Sequence, residues 1–175
     1  MIGLEKFLPS ERDTWEWFLA QESDLEEIVN FADQFYSNEI EGIFTKHPRR
    51  LLYNLNVAIT HQRYHLNKTQ LMVARNKTTD QLVAWAWLGR GSYTPYAPEE
   101  MAEAKFAHID LSLSTRERVT IMAQILHQWH LWCQINQIPV LVSTSIREDQ
   151  QGFMNLHRSA GFTVRGSYAY KRITL

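Results

Sequence analysis

QQGFMNLHRSAGF, residues 150–162, combines a short helical pattern with its own terminator. Phe153, Leu156, His157 and Ala160 recur at three-and-four spacing, which puts them on one helix face. Gly161 follows directly, where a backbone free to adopt positive φ closes a helix without a Cβ clash. Upstream, PVLVSTSI (139–146) is an apolar run of strand length. Before it, residues 116–135 place Val119, Met122, Leu126, Trp129 and Cys133 along one helical stripe. Downstream, TVRGSYAYKRITL (163–175) reads as two edge strands, and an unpaired edge over 162–174 would offer a homodimer contact.

Toward the N-terminus the apolar period changes. LMVAR (71–75) and QLVAWAWL (81–88) are short apolar runs joined by Asn76-Lys77-Thr78-Thr79-Asp80, the composition of a hairpin turn. A Gly-, Pro- and Tyr-rich loop over 89–100 leads to AKFAHIDLSLS (104–114), where Ile109, Leu111 and Leu113 alternate with Asp110, Ser112 and Ser114 as in a third strand. Earlier still, TWEWFLA (14–20) reads as a first strand, and Ser23 with Glu26 reads as a capping box opening a helix near 24–37. Pro48 opens a second helix that carries Leu51, Leu52, Leu55, Ala58 and Ile59 to about residue 65. The order predicts a mixed α/β sheet rather than a strict β-α-β repeat.

Composition narrows the function classes. The 175 residues, 45% hydrophobic and 21% charged, predict one globular domain over 1–175. A formal net charge of −1 argues against general nucleic-acid binding. That average conceals eleven acids and two bases in residues 1–45, a balance of −9, against +8 in the rest. The acids are either the solvated face of a helix or an acidic lip for a cationic substrate. Cys133 is the only cysteine and the start lacks a secretory pattern, which predicts a reducing, cytoplasmic setting. Nothing approaches the roughly 18 unbroken apolar residues of a membrane span, so no membrane partner is expected.

With these elements in place, the segment 150–162 resembles the closing motif of the GNAT acyltransferase superfamily, whose members transfer an acyl group from coenzyme A to an amine. The resemblance implies a single GNAT-like domain with a largely antiparallel central sheet, and acetyl-CoA as co-substrate. In that family the long helix begins with Arg or Gln and two small residues that bring backbone amides to the cofactor's pyrophosphate. Here Arg116 takes the Arg position while Val119 and Ile121 stand at the glycine positions, a degenerate form of the motif. Ser114 to Glu117 also spells a capping box, which puts a carboxylate at the same turn. Arg116, Arg118 and the hydroxyl of Thr120 would supply charge and hydrogen bonds instead. The resemblance further lays the acyl donor along Leu111, Ser112 and Leu113, with a backbone amide of Leu111 or Ser112 as oxyanion donor. It sets His157 at the family's tyrosine acid, and Asn155 and Arg158 near the pantetheine arm and the adenosine 3′-phosphate.

Direct acyl transfer needs a base for the acceptor ammonium. His108 and Asp110, two apart on a strand, are the candidates. His61 and His65 lack a third ligand and no metal is expected; Cys133, inside the apolar stripe, reads as core. The leading expectation is an N-acetyltransferase whose acceptor, a small molecule or a protein amine, lies between the first two helices and the 89–103 loop. Two alternatives stand beside it. One is a GNAT-shaped interaction protein that has lost coenzyme A. The other is an acyl-type transferase acting on nucleic acid, motivated by the basic 46–175 segment with Tyr93 and Tyr96.

Overall fold

The computed structural model describes residues 7–36, 41, 43–145, 151–166, 169, 171 and 172. The elements run β1 (Trp15–Leu19), a 3-10 turn (Glu22–Asp24), α1 (Leu25–Asp33), α2 (Pro48–Tyr64), β2 (Thr69–Asn76), β3 (Leu82–Tyr93), β4 (Glu100–Ile109), α3 (Thr115–Ile135), β5 (Val140–Val142) and α4 (Gln151–Ser159). One sheet contains the strands in the order β1-β2-β3-β4-β5. The first four pair antiparallel, and β5 pairs parallel to β4.

The apolar runs of β2 and β3 are continuous because both faces of the sheet are covered. Leu71, Val73 and Trp85 face α1 and α2, packing with Ile28, Phe35, Leu55 and Ile59. Met72, Ala74, Ala84, Ala86 and Leu88 face α3, against Ile121, Ile125, Leu126 and Trp129. On that second face small side chains in the sheet meet large ones on the helix, which lets α3 lie close without voids. Gln124 is fully buried within α3. Its Oε1 accepts from the indole nitrogens of Trp15 and Trp17, both at 2.8 Å, and its Nε2 donates to Asp13 Oδ2 at 2.8 Å. This amide ties the edge strand to the helix, and each bond inside so apolar a site is costly to leave unmade.

The helix signals largely appear where the sequence places them. Pro48 opens α2 behind His47, whose Nδ1 accepts from the Arg50 amide at 3.1 Å. Ser114 and Glu117 form the reciprocal box at the start of α3. Gly161 has φ +88°, and the Phe162 amide reaches back to the His157 carbonyl at 3.0 Å. At α1, Asp24 takes over the role expected of the Ser23 and Glu26 pair, accepting from the Gln21 amide at 2.7 Å.

Three boundaries differ from expectation. The 89–100 loop is mostly hairpin: β3 extends to Tyr93, β4 starts at Glu100, and Arg90 Nε bonds Glu100 Oε1 at 2.6 Å across it. Gly91, at φ +93°, lies within the Gly89–Ser92 register shift that keeps these strands paired. The third strand ends at Ile109 rather than 114, because Asp110 turns the chain. In the tail, the described residues 163–166, 169, 171 and 172 form no strand, and Arg172 donates instead to Thr45 Oγ1 at 3.0 Å. The remainder of the two expected edge strands, with the dimer edge drawn from them, lies outside the described residues.

Candidate active site

β4 and β5 pair only over Met101–Val140, Ala102–Leu141 and Glu103–Val142, then diverge. Just past this point β4 carries a bulge, since the register steps from Leu88–Ala104 to Trp87–Phe106 and leaves Lys105 as the extra residue. The Asp110 amide donates to Val83 O at 2.9 Å beside the Ile109–Ala84 pair. By the alternation of an antiparallel ladder, the backbone groups of His108 therefore face β3, and those of Ala107 and Ile109 face the gap toward β5. Among the described residues no strand pairs with β4 on this side beyond Glu103, so the Ala107 and Ile109 amides face a cleft.

That cleft is a cavity of about 360 Å³. Ala104 to Ile109 and Leu111 form one wall, and Ser143, Thr144 and Ser145 beyond β5 form the other. Thr115, Arg118, Val119 and Met122 of α3 close one end, and Gly152, Phe153 and Leu156 of α4 line it as well. A second cavity of about 250 Å³ lies between α1 and α2, lined by Val29, Ala32, Tyr36, Lys46, Arg50, Leu51 and Trp87. Phe35, Phe106 and His108 line both. His108 is 5% exposed, stacked on Phe35 with ring centroids 4.3 Å apart and edge-on to Trp85 and Phe106 at 5.1 and 5.5 Å. No residue of the 89–103 loop lines either cavity; Trp87 of β3, Phe106 and His108 of β4 and the residues leading into α2 take the place expected of it.

The other expected base, Asp110, stands apart. Its Oδ1 accepts from the Ser112 amide at 2.8 Å, so the carboxylate caps the turn after β4 and lines neither cavity. The same bond takes up the Ser112 amide that the resemblance offered as oxyanion donor. Leu111 lines the cleft, whereas Leu113 packs into the core beneath α3 and donates its amide to Asp110 O at 3.3 Å. The strands part earlier than expected, and the amides facing the gap are those of Ala107 and Ile109.

At the start of α3 the Ser114 hydroxyl accepts from the Glu117 amide at 3.3 Å, while Glu117 Oε2 accepts from the Ser114 amide at 2.9 Å and from its hydroxyl at 2.6 Å. These bonds hold the Glu117 carboxyl below the usual carboxylate range. The helix begins at Thr115, so Val119 and Ile121 sit more than a turn inside it, where amides are bonded to carbonyls of the preceding turn. Ile121 is wholly buried and Val119 lines the cleft. Thr120 directs its hydroxyl to Arg116 O at 2.9 Å. Arg118 NH2 donates to Thr115 Oγ1 at 3.3 Å, and its buried Nε has no hydrogen-bond partner among the described residues. The gap therefore fits a narrow thioester-bearing arm that can lie along the edge of β4 that no described strand covers. The helix terminus does not fit a pyrophosphate in the way the degenerate motif was aligned, because its own carboxylate occupies that turn.

On α4, Asn155 and Arg158 are exposed and bonded to each other, Arg158 NH1 to Asn155 Oδ1 at 2.8 Å, away from the cleft. His157 is 1% exposed. Its Nδ1 lies 2.8 Å from Phe153 O and its Nε2 2.8 Å from Ser143 Oγ. A carbonyl only accepts, so Nδ1 carries the hydrogen and Nε2 accepts from the Ser143 hydroxyl. Burial pushes this imidazole's pKa below the ordinary histidine value. At rest the ring's proton sits on Nδ1 and Nε2 accepts, the arrangement of a base; the acid role the resemblance implied needs Nε2 to gain a proton first. Cys133 is buried, its thiol pushed up to about 11 by desolvation.

Among the described residues, four acids of the first segment are in ion pairs. Arg75 NH2 bonds Asp24 Oδ1 and Glu27 Oε2, both at 2.6 Å, Lys46 pairs with Asp33 at 2.6 Å, and Arg63 with Glu22 at 3.1 Å. Asp24 and Glu27 tie the 3-10 turn and α1 to β2 through Arg75, whereas Glu11, Glu16, Glu26 and Glu41 are exposed, as in the solvated-face reading, and none of the segment's described acids but the paired Asp33 lines either cavity. Two features of the site carried little signal in the sequence. Ser143 gave only a hydroxyl at the end of an apolar run, and the bulge at Lys105 none.

No family model matches this chain, and no curated protein matches it. Solved structures do. An aminoglycoside 6'-N-acetyltransferase from Acinetobacter baumannii superposes with a TM-score of 0.65 at 15% identity, covering 92% of this chain and 99% of that one. A glucosamine-6-phosphate N-acetyltransferase from Arabidopsis thaliana gives 0.66 at 8% identity, covering 93% and 100%. An acetyltransferase from Trypanosoma brucei gives 0.59 at 17% identity, covering 92% and 99%. The chain has the GNAT acetyltransferase fold.

Proposed function

We propose that this protein is an N-acetyltransferase that transfers an acetyl group from acetyl-CoA to a primary amine. The observation that carries the reading is the junction of the two cavities at His108: the cleft of about 360 Å³ beside the parting strands and the α1–α2 pocket of about 250 Å³ share one buried imidazole. Acetyl-CoA supplies an acyl group already activated as a thioester. The chain's part is to orient and to move protons. The amides of Ala107 and Ile109 stand where charge develops on the acyl oxygen. His108 removes one proton from the acceptor ammonium; the freed nitrogen then attacks the acyl carbon, and as the C–S bond breaks the thiolate takes the second nitrogen proton, leaving amide, thiol and protonated His108.

The α1–α2 pocket is walled by Val29, Ala32, Phe35, Leu51, Trp87 and Phe106. Its acid Asp33 is paired with Lys46, so the acceptor that suits it is an amine on an apolar or aromatic body rather than a polycation. A small molecule or a protein N-terminus both meet that description. A second reading, a binding protein without the co-substrate, is favoured by the Ser114–Glu117 box alone.

Calorimetric titration with acetyl-CoA, followed by thiol release over a panel of amines, separates the two. Saturable binding and amine-dependent release support the transferase, with apolar amines preferred. Absence of binding supports the cofactor-free protein.

A further inference from the structure

Ser143 directly follows β5 and lines the cleft together with Ala107 and Ile109. Its hydroxyl donates to His157 Nε2 at 2.8 Å, and the ring is oriented from behind by the Phe153 carbonyl at 2.8 Å on Nδ1. Phe153 and Phe162 pack the ring at centroid distances of 4.1 and 4.9 Å, and with 1% exposure it is fixed in place. A hydroxyl at a substrate wall, a base within hydrogen-bond reach and a third group setting the base's tautomer are the three parts of an activated nucleophile. The amides of Ala107 and Ile109 across the gap add the fourth, donors for an oxyanion.

We propose that Ser143 and His157 form a nucleophile–base pair that gives this protein a second activity, hydrolysis of acyl thioesters through an acyl-Ser143 intermediate. Ser143 Oγ attacks the acyl carbon while its proton passes to His157 Nε2. The C–S bond breaks, and the thiolate takes that proton and leaves as thiol. Water then attacks the acyl-serine ester, its proton passes to Nε2 and on to Ser143 Oγ as the C–O bond breaks, and a carboxylic acid departs. The sum is thioester plus water giving acid plus thiol, with both residues restored. The inference shares with the proposed transferase only the seating of a thioester in the β4–β5 gap, and it needs no amine.

The test is incubation of the full chain with acetyl-CoA and with S-acetylpantetheine, without amine, followed by acid quench, intact-mass measurement and peptide mapping. The expected result is one acetyl group on the peptide containing Ser143 and thiol release above the uncatalysed rate. Ser143→Ala removes the adduct and lowers hydrolysis about 100-fold or more, and it melts lower but cooperatively because the buried His157 Nε2 loses its partner. Ser143→Cys restores an adduct, now a thioester labile to hydroxylamine. No adduct on the wild type, or hydrolysis equal in wild type and Ser143→Ala, overturns the inference. An adduct in a protein that acetylates no amine leaves the inference standing and removes the transferase reading. Amine transfer without an adduct does the reverse.

Discussion

A histidine that is buried, neutral and bonded through both ring nitrogens is a stability element sensitive to acid. His157 has a depressed pKa in the folded chain, so below the ordinary value of 6.5 the unfolded chain binds its proton first. Its contribution is complete above that value, is lost as pH falls toward the folded pKa, and changes no further below it. Denaturant midpoints measured from about pH 8 to about pH 5 should fall with acid. The His157→Asn variant, less stable throughout, should show a shallower fall. Equal slopes in the two proteins would contradict the assignment. Three residue roles diverged from expectation for one reason each. Asp110 found a local amide at Ser112, Asn155 found Arg158, and His157 found Ser143. A sequence shows a side chain's chemistry, but the partner that engages it is set by packing.

At the scale of elements, both kinds of helix terminus are visible in local residues. The Ser114–Glu117 box and the Gly161 stop sit where spacing put them, since both depend on neighbours within one turn. The bulge at Lys105 and the early end of β4 were not visible, because they depend on how β4 matches β3 and parts from β5. The same box has a consequence for binding. Glu117 places a carboxylate at the helix terminus where a phosphate would gain from the macrodipole. Glu117→Gln should tighten coenzyme A by about 0.5–1 kcal/mol while leaving S-acetylpantetheine binding unchanged, measured by titration calorimetry. It should also lower stability slightly, because the reciprocal cap is weakened. Equal effects on both ligands would show that the phosphates bind elsewhere.

For the whole molecule, the order of elements was legible in the sequence and follows from two covered sheet faces, one under α1 and α2 and one under α3. Aromatic side chains fill the first face, and two of them, Phe35 and Phe106, continue from the core into both cavities. The cleft and the pocket are thus products of the fold's layering, with His108 on the strand that separates them. In the acidic N-terminal segment Asp24 and Glu27 join layers through Arg75 and Asp33 pairs with Lys46, while Glu11, Glu16, Glu26 and Glu41 face solvent. Charge counts along a chain locate an imbalance but do not show which opposite charges the fold brings beside it.

Initial-rate acetyl transfer from acetyl-CoA to an apolar primary amine, compared between wild type and His108→Gln with each verified as folded, tests the role of His108. With His108 as the base between the two cavities, kcat should fall about 100-fold or more in the variant while KM for acetyl-CoA stays within about threefold. Transfer at the wild-type rate by His108→Gln, or no amine-dependent transfer by the wild type, would contradict it.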